Sequence, residues 1–134
     1  MLNFYENDMK NRKENFMEFS KTYINETDYI VSKKHIPENL SDRYDYFITG
    51  SDQVWNPDNL HGTSFFFLTF AEQYKRIAYA PSFGVSEIKP EFIEDYKEWI
   101  SGMYKLSVRE DDGAKIIKKL TVESLRFWLT PLYF

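Results

Sequence analysis

Cysteine is absent from the 134-residue chain. That excludes a disulfide framework and any thiolate metal site, and it fits a reducing compartment, for which the cytoplasm is the expectation. Histidine is nearly absent too: His35 and His61 stand far apart with no companion at ligand spacing, so no metal is expected. Long apolar runs are missing. The longest, Phe65-Phe66-Phe67-Leu68, is far too short to span a bilayer, and the first residues lack the basic-then-apolar order of a secretion signal. An excess of positive charge is missing as well. With 17 Lys and Arg against 21 Asp and Glu, scattered among one another, the chain offers no footprint for nucleic acid. A phosphate-cradling Gly-rich loop, a nucleophile elbow and a zinc motif are all lacking, and no cofactor is expected.

What the chain does have is apolar and aromatic mass. Hydrophobic residues make up 43% and aromatic residues 19%, enough for the core of one domain or part of one, rich in ring packing. Met9, Phe16, Phe19 and Tyr23 recur at helical spacing and predict an amphipathic helix over roughly 9–24. Residues 25–43, broken by Pro37 and by several Asn, Asp and Ser, read as loop or short helix. Three short runs rich in β-branched or aromatic residues, 44–49, 76–80 and 105–108, predict strands. A helix from Pro90 to about Met103 falls between the second and third, with Phe92, Tyr96, Trp99 and Met103 on one face. A further helix after Asp111 or Asp112 carries Ala114, Ile117 and Leu120 opposite Lys115, Lys118 and Lys119. Strand, helix, strand, helix is the order of a parallel sheet with covering helices, so an α/β fold is expected. In such sheets ligands sit beyond the carboxyl ends of the strands, so the turns after the strands should gather on one edge.

Those turns hold the candidate chemistry. Gly50-Ser51-Asp52-Gln53-Val54-Trp55-Asn56-Pro57 crowds donors and acceptors directly behind an apolar strand, where Gly permits close approach to a ligand. A purely structural reading is equally open: a strand-end turn whose Asp52 caps backbone amides while Trp55 packs. Ala80-Pro81-Ser82-Phe83-Gly84 offers the Ser82 hydroxyl at a bend, with plain turn chemistry the favoured alternative. Arg109, after the third strand, suits a carboxylate or phosphate, or else pairs with a neighbouring Glu or Asp.

The run from Tyr44 through Gly50-Ser51-Asp52-Gln53-Val54-Trp55-Asn56 to Pro57 resembles the signature of the polysaccharide pyruvyl transferases. Lys75-Arg76-Ile77-Ala78-Tyr79-Ala80-Pro81-Ser82-Phe83-Gly84 and Leu106-Ser107-Val108-Arg109-Glu110-Asp111-Asp112-Gly113 follow in the family's order, so the resemblance spans roughly 9–120. It implies a partial Rossmann-like parallel sheet with flanking helices, one half of a two-domain glycosyltransferase-B-like architecture with a cleft between the halves. It also implies transfer of pyruvate from phosphoenolpyruvate to sugar hydroxyls of a cell-surface polysaccharide, as a ketal, with a glycan acceptor as partner. On that resemblance Asp52 is the catalytic candidate, orienting or deprotonating an acceptor hydroxyl. Ser51, Gln53, Ser82 and Arg109 are the substrate-binding candidates, Arg109 toward an anionic group of the donor.

The same resemblance implies a strand and a Gly-containing loop before residue 1 and a second domain, so this piece is expected to be inactive alone and to associate through exposed sheet edges. A sugar-binding piece without catalysis and a truncated product without function are the alternatives. The boundary is placed at 1–120 for the partial domain and 121–134 for an aberrant tail. Shifting the frame by one nucleotide from Val122 is compatible with a stretch that passes through Ala-Asp-Pro, as in the family, so the tail is expected to be out of frame, a genuine amphipathic terminus being the alternative.

Overall fold

A computed structural model describes residues 2–59 and 62–121. His61 and the tail reading on 122–134 lie outside the described residues. The chain falls into two units, Met1–Val31 and Ser32–Phe134. The first is built on helix α1, Leu2–Tyr23, which begins earlier than the periodicity of its apolar residues indicates. Its seam is exposed, with Met9, Phe16 and Tyr23 each more than two-thirds accessible. Phe19 and Tyr23, one turn apart, bring their rings to 4.9 Å along the helix.

The second unit is an α/β arrangement on a small sheet. Strands β1 (Phe47–Thr49), β2 (Arg76–Ala78) and β3 (Lys105–Leu106) lie in the order β1-β2-β3. Both pairings are parallel, with Thr49 opposite Ala78 and Ala78 opposite Leu106. These facing residues, 6%, 2% and 5% exposed, form the inner face. Ile48, one residue out of phase, points the other way and is 68% exposed, as the two-residue repeat of a strand requires.

Helix α2, Ile93–Ser101, is entered through a 3₁₀ turn at Pro90–Phe92 whose proline sits in the first turn, where its missing N–H costs nothing. It buries Tyr96 and Ile100. Helix α3, Asp111–Thr121, buries Gly113, Ile116, Ile117, Leu120 and Thr121 and leaves its lysines in solvent. Asp111 and Asp112 lie inside its first turn, where negative charge complements the helix dipole, rather than ahead of it as caps. Thr121 completes the last turn, its hydroxyl donating to the Ile117 carbonyl.

The core is a stack of rings. Trp55 lies parallel on Phe67 at 4.5 Å, with Phe83 edge-on at 5.3 Å, and Phe67 in turn meets Tyr96 at 5.2 Å. Trp55 is fully buried, and its indole N–H donates to the Phe66 carbonyl at 3.1 Å. The Tyr96 hydroxyl donates to the Trp55 carbonyl at 3.0 Å, and burial pushes the phenol well above its ordinary pKa, so it stays a donor. Arg76 ties the connection ahead of β2 to the sheet, donating to the carbonyls of Ala71 and Thr69 at 2.7 and 3.1 Å.

Candidate functional site at the carboxyl edge of the sheet

The chain leaves β1 through Gly50, at φ 123°, where a side chain would fall on the carbonyl oxygen of Tyr79. Only glycine lets the first turn pass so close to the second. Two backbone bonds then stitch these turns together: Ser82 N–H donates to the Asp52 carbonyl at 3.0 Å, and Trp55 N–H to the Ser82 carbonyl at 3.2 Å. The third turn joins through Arg109 N–H to the Pro81 carbonyl at 3.4 Å and through the Ser107 hydroxyl. That hydroxyl accepts from Ala80 N–H at 3.0 Å and donates to the Ala78 carbonyl at 3.2 Å. The turns after the strands therefore gather on one edge.

Within that edge the candidate side chains divide. Ser51, Asp52 and Gln53 are exposed. Asp52 Oδ1 accepts from Gln53 N–H at 2.7 Å, which is the amide-capping geometry of a strand-end turn, and the carboxylate retains further acceptor capacity. Gln53 Oε1 accepts from Asn56 Nδ2 at 3.1 Å, and Asn56 Oδ1 accepts from Asp58 N–H at 2.9 Å. Gly84, at φ 62°, leaves room for this pair, since a Cβ there would lie 2.6 Å from Asn56 Nδ2. Ser82 is fully buried and its hydroxyl accepts from Gly84 N–H at 3.1 Å. Arg109 donates through Nε to Glu110 Oε1 at 2.9 Å, the neighbouring-acid pairing that its position also allowed.

Two hollows open here. One, about 300 Å³, is lined by Asp52, Gln53, Val54, Asn59 and Phe66. The other, about 240 Å³, is lined by Gly84, Val85, Ser86, Glu110, Asp112 and Gly113. Asp52 and Gln53 share the first, whereas Ser51, Ser82 and Arg109 line neither. Asn59 and Phe66 escaped the sequence reading, which ended the polar turn at Pro57 and took Phe66 as part of an apolar run. The continuing Asn, Asp and Gly residues after Pro57 were the available signal. Among the described residues no group of side chains is set to hold a metal ion, and no helix is long and apolar enough to cross a membrane.

Comparison with known proteins fits this arrangement. The family model for polysaccharide pyruvyl transferase matches residues 3–127. Neither the curated proteins nor the solved structures give a match. The match runs through α1, the sheet and all the turns of the carboxyl edge, and on it the chain belongs to the polysaccharide pyruvyl transferase family.

Proposed function

We propose that this chain carries the acceptor-handling edge of a pyruvyl transferase that moves pyruvate from phosphoenolpyruvate onto a sugar of a cell-surface polysaccharide. The reading rests above all on the family match through an exposed Asp52 at the carboxyl edge of a parallel sheet. In the reaction two sugar hydroxyl oxygens bond to C2 of the pyruvyl group, and the C2–O bond to phosphate breaks. Of the two hydroxyl protons lost, the balance is met by one on the former methylene carbon and one on the released phosphate. Asp52 orients an acceptor hydroxyl or takes its proton, with Ser51 and Gln53 beside it. Ser82 supports the turn from beneath. Arg109 serves the anionic donor once a substrate phosphate or carboxylate displaces Glu110.

The donor needs more cationic groups than Arg109, and an acid for the enol carbon. We place these in an opposing half of a Rossmann-like, glycosyltransferase-B-like enzyme working in the cytoplasm. Residues 1–120 then form the acceptor side of that enzyme, and the exposed strand edges self-associate. With phosphoenolpyruvate and a glycan acceptor, the chain by itself is expected to release no phosphate above a buffer control, and measurable turnover would refute its inactivity. In a two-domain protein carrying this sequence, Asp52→Asn is expected to lower turnover by roughly 10²- to 10⁴-fold with little change in Tm. Equal activity in a folded variant would leave Asp52 as a capping residue.

A further inference from the structure

We propose that the hollow between helices α2 and α3, floored by Ile88, Ile93, Ile116 and Leu120 and rimmed by Lys115 and Lys119, binds a carboxylate that carries an apolar body of medium length. It is set into the helical layer and shares only Ser86 with the two hollows of the carboxyl edge. The inference goes beyond the transferase reading and does not depend on it. The apolar half of the site comes from three segments. Ile93 opens α2, Ile116 and Leu120 stand one turn apart on α3, and Ile88 comes from the connection between β2 and α2. Ile116 and Leu120 are 4% and 8% exposed, and Ile88 and Ile93 pack against the same core, so the floor is fixed by that packing before any ligand arrives. The hollow measures about 190 Å³. A cavity of roughly 150 Å³ holds a benzene ring, so an apolar body of roughly six to eight carbons fits here.

Charge selects the head group. Lys115 and Lys119, one turn apart on α3, bring two ammoniums to the rim against one lining carboxylate, that of Glu87. Each lysine already meets an acid, Lys115 with Asp112 at 2.7 Å and Lys119 with Glu87 at 3.6 Å, but all four side chains are more than half exposed. Ion pairs so open to water contribute little, and their acids can turn out into solvent. A ligand carboxylate anchored by its own buried chain therefore competes for the ammoniums, and Ser86, in the same lining, offers a hydroxyl donor. An aliphatic floor with a few polar groups at its rim is the usual composition of a small-molecule site. A cationic head is repelled by the two lysines, and a sugar or phosphoenolpyruvate has no alkyl body for the floor.

The test is titration of the full chain, ¹³C-labelled at its Ile and Leu methyl groups, with sodium octanoate, and with octanol and sodium acetate as comparisons. Octanoate is expected to shift the methyls of Ile88, Ile93, Ile116 and Leu120 saturably and with higher affinity than octanol, and acetate to leave them unmoved. The double variant Lys115→Gln, Lys119→Gln, changed only at exposed side chains, should raise the octanoate Kd about fivefold or more and leave the octanol Kd unchanged. Absence of a saturable shift at these methyls would overturn the site, as would octanol binding as tightly as octanoate. The same shifts with acetate, or an unchanged octanoate Kd in the double variant, would overturn it equally. Phosphate release measures the transferase reading separately, so either can fail without the other.

Discussion

Gly50 and Ser107 supply no reacting group, yet the carboxyl edge closes around them. A Cβ at position 50 would fall on the Tyr79 carbonyl oxygen from a backbone at φ 123°. Gly50→Ala should therefore lower stability by more than about 1 kcal/mol, seen as a fall in the urea midpoint. Ser107→Ala removes the acceptor of Ala80 N–H and the donor to Ala78, at an expected loss of about 1–3 kcal/mol in the same measurement. An unchanged midpoint would mean that water replaces the hydroxyl. Ser107 could be quoted from the sequence as part of a motif, but its bridging role could not be read there, because it depends on β2 and β3 being neighbours. Ser82 and Arg109 teach the converse. Both stand after strands as expected, yet a hydroxyl turned to its own backbone and a guanidinium turned to the next residue are decided by local geometry that residue type and spacing leave open.

At the scale of elements, period and composition went far. The strands, the helix led by Pro90 and the helix ending in Thr121 fall where apolar runs and turn residues put them, and the pairing is parallel. The strands are shorter than their apolar runs. After Ala78 the backbone bends through Ala80 at φ 49°, and the N–H that would extend the ladder goes to Ser107 instead. No apolar pattern announces such a turn. Trp55 was legible only as an alternative between ligand contact and packing, and the ring stack decides for packing. Trp55→Ala should cost about 3–5 kcal/mol, and Tyr96→Phe, which removes a single hydroxyl bond inside the same stack, about 0.5–1.5 kcal/mol. Comparable losses for the two in chemical denaturation would contradict this account of the core.

For the whole molecule, the outer limits of the sheet matter most. Among the described residues β1 and β3 are edge strands, and β1 turns the 68% exposed Ile48 outward beside its unpaired backbone. Such an edge invites pairing with another chain. Sedimentation should show weight-average mass rising with concentration, and Ile48→Lys should suppress the rise. A concentration-independent monomer would refute edge association. The stitch between the first two turns has a different consequence, an optical one. Trp55 takes part in it through its backbone N–H, while its indole lies in the ring stack on Phe67. One residue thus belongs to both the carboxyl-edge turns and the dry interior, so a loosening of those turns is transmitted to an indole shielded from water, and its emission is expected to move to the red when the edge comes apart.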